Sequence, residues 1–543
     1  MIRAQSPASA GPAAVGPSET ASAAPPRAAN GAAGESSWLD AAVIIGSAAL
    51  ALVLCLVEIT GRSLGFDEGA SVTIAVQHGG ALAAGIAHDG GNMSGYYLAL
   101  HLLTGVFGTS ELAIRLPSAI ATAATSGLVV VLATRLFDRR VGLVSGLLSA
   151  VSLPLVYWGQ NARGYAPMVA FTVAAFLSLV TLVDTGSGAR AGRLAWLGYV
   201  AFTVLAIYSG LVAVLVIPAQ LVTVLWHRRA LRPLGAALVA IAACCVPLVV
   251  LVFGRGSGQL FWLPRPTLTG EKEVFQALTG AGLQPNFHAT ATTMLLLVAT
   301  LVLLLGIAAA IVTRLLRGPR DRATWAQNLV LTWLVFPVAF AWIESYFGQP
   351  ILLPRNLLAC APAVAILLAY GLWNAPLPRP VLLAGLLAIL ALRVLQLAPS
   401  YAVSPEDWRG ASAQVLAAAR RTDCVAFYPA DGRMAFRYYL GAGRAAIARA
   451  PRPVLPAAPW GTDRVYVEDY ATLGDSQLRR VAAACPRLWL VASHVGERDG
   501  PAGALAHRTR YLRLRDAVAR DYPHRRTLKF GYASAVQVEL ATH

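Results

Sequence analysis

The sequence predicts an all-α polytopic membrane bundle followed by a small water-soluble α/β domain. Of its 543 residues, 57% are hydrophobic and only 13% are charged, a balance that a soluble protein of this length does not need. The apolar residues form long uncharged blocks, such as 41–57, 234–253 and 294–312, and a helix of roughly 20 residues crosses a bilayer. Beyond residue 400 the composition becomes mixed. We therefore predict a transmembrane domain at 38–398 and a soluble domain at 399–543.

Residues 1–37 are rich in Ala, Pro, Ser and Gly and contain almost no bulky apolar side chain. Such a segment buries too little surface to offset the entropy of ordering it, so we predict a disordered tail. The tail lacks the Arg-flanked early apolar core of a signal peptide. The first apolar block, at 40–58, is therefore expected to remain as a membrane anchor.

The apolar blocks after this tail predict about eleven transmembrane helices by the hydropathy rule. Their expected bounds are 40–58, 110–136, 142–160, 165–184, 194–209, 211–226, 233–253, 293–314, 327–343, 354–373 and 379–397. Because this number is odd, the two ends of the chain should lie on opposite sides of the membrane.

Arginine supplies nearly all of the net charge of +17, and its placement indicates the orientation of the bundle. The loops after alternate spans are rich in arginine, and the positive-inside rule makes that side cytoplasmic. We expect a multi-pass protein of the cytoplasmic (inner) membrane, in contact with its lipids, with the N-terminal tail inside and the soluble domain outside. We attribute the arginine excess to genome composition and expect no nucleic-acid partner. The loop arginines are Arg135, Arg139, Arg140, Arg190, Arg193, Arg228, Arg229, Arg232, Arg314, Arg317, Arg320 and Arg322.

The soluble domain alternates helix-like stretches with short apolar runs, which is typical of a small α/β domain. Cys424 and Cys485 lie at or just before two of these runs. Oxidising conditions outside the membrane permit a disulfide if the two strands are neighbours; otherwise both cysteines stay free thiols. The helix-like stretches are 406–420, 478–484 and 504–520, and the apolar runs are 424–428, 465–467 and 488–493.

Ionisable and polar side chains concentrate in the first outward loop, at Asp67, Glu68, His88, Asp89 and Asn92. The neighbouring segments 69–77 and 96–106 can lie along the membrane interface as amphipathic helices. A loop held flat in this way can aim a carboxylate at a lipid headgroup. The alternative is a set of solvated loop residues, because carboxylates outside a bilayer carry no burial cost.

A second polar group lies at the outward end of a span, at Gln160, Arg163 and Tyr165, and Arg355 begins another span on the same side. Guanidinium groups beside a helix N-terminus form an arrangement that binds phosphate. We therefore predict a phosphate clamp. The alternative is that these arginines only extend their charged ends to the membrane surface.

Together these motifs resemble the polytopic glycosyltransferases of the C-type fold that use polyprenyl-phosphate sugars, especially family 39 and its bacterial mannosyltransferase and aminoarabinose-transferase relatives. The resemblance covers roughly residues 40–373 and follows the order of the family's motifs. One departure is Met93–Ser94–Gly95, which stands where relatives have a proline pair. The segments that carry the resemblance are 66–68, 89–97, 111–118, 135–140, 160–165 and 354–358.

The resemblance implies transfer of a sugar, mannose or another pentose or hexose, from polyprenyl phosphate to a hydroxyl of a lipid, glycan or protein acceptor outside the membrane. A carboxylate must take the proton of the acceptor hydroxyl, and Asp67 is the candidate base. Arg163, Arg355 and Tyr165 would bind the departing phosphate. A single displacement would invert the anomeric configuration.

The remaining candidates would orient the substrates or hold an ion. Glu68, Asp89, Asn92 and Gln160 are expected to orient the sugar or the acceptor, and His88 is a candidate ligand for a divalent metal ion. Two other classes of protein stay open. A secondary transporter would place charges near the membrane midplane, and a noncatalytic membrane protein would bind an envelope polymer through its soluble domain.

Overall fold

The computed structural model describes residues 29–185, 190–256, 260, 262–279, 291–317, 321–375, 377–461, 464–466, 469–496, 500–532 and 535–543. Of the predicted disordered tail, residues 1–28 lie outside this part of the chain. Residues 29–37 differ from the prediction because they form the start of helix α1 (Ala29–Leu56). The apolar span nucleates that helix, and each residue added to its end gains one backbone hydrogen bond. Val43–His543 forms one compact unit, to which all contacts below belong.

Most of this unit is a helical bundle, in which α5 packs against α6 and α8, and α8 packs against α9. Its helices are α2 (Phe66–Ala75), α3 (Gly79–His88), α4 (Ser94–Phe107), α5 (Glu111–Leu136), α6 (Arg139–Ala150), α7 (Leu153–Gly159), α8 (Tyr165–Thr185), α9 (Arg190–Ser209), α10 (Ile217–Trp226), α11 (Leu231–Arg255), α12 (Leu268–Thr279), α13 (Ala291–Arg317), α14 (Arg322–Phe347), α15 (Ala361–Asn374) and α16 (Arg379–Ala402). Short 3-10 helices at Leu211–Val216, Arg228–Ala230 and Pro354–Cys360 precede α10, α11 and α15.

Eight helices within the described residues are long and apolar enough to cross a membrane. The pair α6 and α7 forms a ninth such segment, bent by 53°. Two shorter apolar helices, Leu211–Thr223 and Leu303–Leu316, coincide with the two remaining predicted spans. The eleven predicted blocks therefore all correspond to apolar helices, and the predicted polytopic helical fold is confirmed.

Three helices, α2 to α4, lie between the first and second spans and are too short to cross the membrane. Helix α2 covers most of the predicted amphipathic segment 69–77, and α4 covers all of the segment 96–106. Helix α3 was not predicted, because its sequence, GGALAAGIAH, is apolar until its last residue and has no polar face to mark its period. This loop carries the candidate carboxylates.

The C-terminal domain is an α/β domain with a single five-stranded sheet in the order β2-β1-β3-β5-β4. Strand β1 is parallel to β2 and β3, whereas β5 is antiparallel to β3 and β4. Residues 464–466 form no strand, contrary to the prediction for 465–467; residue 467 lies outside the described residues. The elements are α17 (Trp408–Ala418), β1 (Cys424–Tyr428), α18 (Gly432–Leu440), α19 (Arg444–Arg449), β2 (Arg452–Leu455), α20 (Asp475–Ala484), β3 (Arg487–Ser493), α21 (Ala502–Asp521), β4 (His524–Phe530) and β5 (Val536–Thr542).

A disulfide joins Cys424 to Cys485, whose Cα atoms are 5.8 Å apart. The pairing follows from the sheet, because β1 and β3 are hydrogen-bonded neighbours and Cys485 lies just before β3. The other four cysteines are free thiols. The bridge closes a loop of 61 residues within the soluble domain.

Candidate active site

Glu68 anchors the loop between the first and second spans to the bundle. Its carboxylate accepts hydrogen bonds from Arg115 Nε and Nη2, each at 2.8 Å, and from the backbone N–H groups of Ala162 and Gly65. Burial opposes ionisation, but the Arg115 charge outweighs it and lowers the pKa of Glu68. All four acceptor sites point at protein donors. We therefore revise the expected role of Glu68, from orienting a substrate to fixing the loop.

Asp67, one residue earlier, contacts a different pair of arginines and is accessible. Its Oδ2 atom lies 3.5 Å from Arg355 Nη1 and 3.9 Å from Arg163 Nη2. The Asp67 side chain is 39% exposed, so a substrate can reach it. Removal from bulk water opposes ionisation, but Arg163 and Arg355 outweigh it and hold the pKa of Asp67 below its ordinary value. Asp67 is therefore a carboxylate at neutral pH.

Arg163 is held in place by side chains of the loop between the first and second spans. Its Nη1 atom donates to Tyr97 Oη at 3.1 Å and to Ser71 Oγ at 3.2 Å. Its Nε atom is buried and has no hydrogen-bond partner among the described residues. Burial disfavours the charged form, but the neighbouring Tyr97 and Asp67 raise the pKa of Arg163. Arg163 is therefore a buried cation whose Nε–H group is still able to donate a hydrogen bond.

The loop that carries Arg163 approaches another helix closely. A Cβ atom on Gly164 would lie 2.1 Å from the carbonyl oxygen of Ser209, at the end of α9. No side chain fits in that space, so the close contact requires glycine. This contact fixes the start of α8 and with it the position of the guanidinium group.

Asp89 and Tyr97 extend the polar cluster behind Arg163. Tyr97 Oη donates to Asp89 Oδ2 at 2.6 Å. Burial raises the pKa of Asp89 to about 6, and the negative charge of Asp67 adds to that effect, against the opposing influence of Arg163 and Tyr97. Asp89 thus changes charge at a pH of about 6. The Tyr97 hydroxyl links it to Arg163 by hydrogen bonds.

Arg355 and Tyr165 complete the set of predicted phosphate ligands. The Arg355 guanidinium lies 5.4 Å from the centre of the Trp262 ring, in a cation–π contact. Its side chain is 30% exposed. Tyr165 is buried, packs against Trp158 with ring centres 4.4 Å apart, and lies close enough to influence both Arg163 and Arg355 electrostatically. The structure therefore brings Asp67, Arg163, Arg355 and Tyr165 together.

Gln160 has a different environment from the one predicted. Its amide nitrogen donates to the carbonyl oxygens of Cys55 at 3.0 Å and Val57 at 2.5 Å, and its oxygen accepts from Arg62 at 2.9 Å. The side chain is 2% exposed. We therefore revise its expected role from orienting a substrate to tying the end of α1 to the end of α7.

Asn92 and His88 are the remaining candidates of the loop. Asn92 Oδ1 accepts from the backbone N–H of Leu211 at 3.4 Å. His88 is exposed at the last residue of α3. Within the described residues, no group of three His, Cys, Asp or Glu side chains is placed to hold a metal ion. The suggested metal role of His88 therefore gains no further ligands from the structure.

The sequence and the fold are similar to those of known proteins. Residues 94–253 match the family described as dolichyl-phosphate-mannose-protein mannosyltransferase. The fold is similar to that of ArnT from Cupriavidus metallidurans bound to undecaprenyl phosphate, with a TM-score of 0.56 and 14% identity over 92% of this chain and 97% of that one. For the apo state of ArnT the TM-score is 0.55 and the identity 16%, over 94% and 98% of the two chains.

The chain has the C-type fold of membrane glycosyltransferases. A search of curated sequences finds no significant match. A weaker likeness, with a TM-score of 0.48 and 11% identity over 84% of this chain and 70% of that one, joins it to the oligosaccharyltransferase AglB of Archaeoglobus fulgidus in complex with an inhibitory peptide and dolichol-phosphate. The matched family segment contains Gln160, Arg163 and Tyr165, whereas Asp67 and Glu68 precede it.

Several residues that the structure places at the site have no role predicted from the sequence. Arg115 lies inside a motif that carried the resemblance, and an arginine near the outward end of a span was its only signal. Tyr97 is one of two adjacent tyrosines whose separate roles no spacing reveals. Glu406 and His494 come from the soluble domain, more than 300 residues from Asp67. Only the three-dimensional packing brings them there.

Proposed function

We propose that this glycosyltransferase moves a sugar from a polyprenyl-phosphate donor to a hydroxyl acceptor on the outer side of the cytoplasmic membrane, with inversion. The observation that carries the proposal is the accessible Asp67 carboxylate, which lies within 4 Å of both Arg163 and Arg355. A base and two phosphate ligands thus meet at the outward ends of membrane helices. A secondary transporter would instead place such charges near the midplane.

The reaction assigns one role to each group. Asp67 takes the proton of the acceptor hydroxyl while that oxygen forms a bond to the anomeric carbon. The bond between the anomeric carbon and the phosphate oxygen breaks on the opposite face, and polyprenyl phosphate leaves with the electron pair. Arg163 and Arg355 stabilise the negative charge on the leaving phosphate.

The two arginines also couple donor binding to the strength of the base. Without donor, their charges stabilise the Asp67 carboxylate and make it a weak base. A bound phosphate would neutralise part of that positive charge, and the pKa of Asp67 would rise. Asp67 would then accept a proton more readily once the donor is in place. The acceptor would be deprotonated mainly when a sugar is available for transfer.

The experiment is a comparison of strains that have and lack the chain. Mass spectrometry of envelope lipids and glycans should show one polyprenyl-phosphate sugar accumulating in the deletion strain, together with the loss of one glycosylated product. Wild-type protein should restore the product, and Asp67→Asn should not. Unchanged glycans and lipids in the deletion strain would contradict the proposal.

A reporter fused after Ala398 should be active outside the membrane, which tests the proposed orientation.

A further inference from the structure

The soluble domain holds the first turn of α2 on both sides of Asp67. Glu406 Oε2 accepts a hydrogen bond from the backbone N–H of Phe66 at 2.7 Å, and Trp408 Nε1 donates to the same oxygen at 2.8 Å. On the other side, a Cβ atom on Gly69 would lie 2.9 Å from the backbone of Ala435 in α18. The turn that presents Asp67 is therefore clamped by a domain distant in sequence.

His494 is the second part of this clamp. Its Nε2 atom lies 3.2 Å from Glu406 Oε1, and its ring packs against Phe66 with ring centres 4.7 Å apart. The backbone at His494 has φ +48°, a conformation uncommon for residues other than glycine. It follows directly after β3, and its side chain is 45% exposed. A strained residue thus places an imidazole beside the residue that precedes Asp67.

We propose that His494 and Glu406 are positioning residues for the transfer reaction: they hold Phe66 and so direct the Asp67 carboxylate toward the acceptor. This inference rests on the proposed function of Asp67. It gives the soluble domain a role within the transfer site. An independent polymer-binding module would have no need to contact Phe66 and Gly69, which flank the base.

The electrostatic surroundings support a protonated His494. The carboxylates that face it are Glu406, Asp67 at the start of α2, and Asp431 before α18. Removal from bulk water disfavours the imidazolium, but these carboxylates outweigh it and raise the pKa of His494. The raised pKa extends the imidazolium form to higher pH than for an ordinary histidine, and the charge is lost as the pH rises through that pKa. The contact with Glu406 should weaken over the same range.

The test measures single-turnover transfer and donor binding on the full-length protein in detergent, with a polyprenyl-phosphate sugar. His494→Gln should lower the transfer rate by about 10- to 100-fold and leave donor affinity unchanged, because Arg163 and Arg355 are intact. In wild type, transfer should fall as the pH rises through the raised pKa of His494, and this decline should be absent from His494→Gln. Glu406→Gln should show the same loss of rate.

Two further variants separate positioning from folding. His494→Gly removes the ring but suits the backbone, since glycine adopts φ +48° at little cost; it should melt like wild type and still lose transfer. In the Asp67→Asn background, His494→Gln should have no additional effect, because the group it positions is gone. Arg520→Ala removes an exposed ion pair with Asp475 elsewhere in the domain and serves as the matched control.

The outcomes distinguish this inference from the function on which it rests. If wild type transfers sugar and folded His494→Gly and His494→Gln do so at the wild-type rate and with the wild-type pH profile, the positioning role is wrong and the proposed function stands. Additive losses in the Asp67→Asn background would also contradict the positioning role. If wild-type protein binds and transfers no polyprenyl-phosphate sugar, both proposals fail together.

Discussion

Arg115 holds both carboxylate oxygens of Glu68 through two hydrogen bonds of 2.8 Å. Both side chains are 2% exposed. The same guanidinium group donates to three carbonyl oxygens of the segment 59–63. One side chain of α5 therefore satisfies a buried carboxylate and the turn that follows the first span, and the direction of the neighbouring Asp67 depends on it.

Loss of the Glu68 charge should destabilise the protein. Glu68→Gln leaves Arg115 buried without its counter-charge, and removal of one partner of a buried pair costs about 3–5 kcal/mol. Thermal unfolding in detergent should show a clear decrease in the midpoint. Arg520→Ala, at an exposed ion pair, should show no measurable change. An unaltered midpoint in Glu68→Gln would contradict the anchoring role.

Asp67→Asn should separate binding from chemistry. The amide keeps the shape of the side chain, so donor binding should persist, whereas the rate of transfer should fall by about 10²–10⁴-fold, as expected for loss of a general base. Single-turnover transfer and donor binding on purified protein provide the measurement. Near-normal transfer would remove Asp67 as the base and leave Asp89 as the next candidate carboxylate of the loop.

Arg163→Ala should weaken donor binding as well as transfer. Loss of hydrogen bonds to a charged group costs about 1.5–3 kcal/mol, so we expect donor affinity to fall by about 10- to 100-fold. Arg163→Lys should restore only part of the loss, because a point charge does not reproduce the planar fork. Unchanged donor binding in Arg163→Ala would return this arginine to a purely structural role.

Asp89 should give the enzyme a dependence on pH near 6. Its pKa is raised to about 6, so it is neutral below that value and anionic above it. The transfer rate should therefore decline as the pH falls through about 6, where the Tyr97 hydroxyl loses its anionic partner. Asp89→Asn should lack this decline and resemble the low-pH form.

The same shift predicts an effect on stability. A carboxyl group whose pKa is higher in the folded state favours folding while it is protonated, and that contribution is lost as the pH rises to about 6. Above this pH, Asp89→Asn should therefore unfold at a higher temperature than wild type. A lower unfolding temperature for Asp89→Asn at neutral pH would contradict the assignment.

The disulfide should be detectable in protein purified without reductant. Of six cysteines, four should react with a thiol reagent after denaturation, and all six should react after reduction. Replacing both Cys424 and Cys485 with Ser should lower stability by about 2–5 kcal/mol, because the bridge constrains a long loop of the unfolded domain. Six reactive thiols before reduction would show that the pair is not bridged.

Much of the fold was predictable because hydrophobic blocks report membrane helices directly. The strands of the soluble domain were less predictable from the sequence. Strand β2 contains Pro453, which argues against a strand except at an edge, and β2 is an edge strand. Strand β4 is mostly polar and exposed, so its sequence carries no apolar alternation. Strand β5 does alternate and could have been recognised.

The charged groups of the site were predictable from the sequence. The residues that hold these groups in place were less predictable. Asp67, Arg163 and Arg355 stand out as charged residues beside predicted spans, the family resemblance implies their roles, and the structure brings them together. Glu68 and Gln160 have the same residue types as substrate ligands, and only their partners, Arg115 and the carbonyl oxygens at the end of α1, reveal a supporting role. Hydrogen bonding across 50 to 100 residues leaves no local pattern in a sequence.

The position of β5 has a consequence for how the protein is made. This strand, at 536–542, lies between β3 and β4, so the sheet stays open during synthesis until residue 542 has left the ribosome. The domain that clamps Phe66 and Asp67 cannot close before then. A truncated or stalled chain would insert its membrane helices but lack a complete site. Such incomplete chains would not consume polyprenyl-linked sugars.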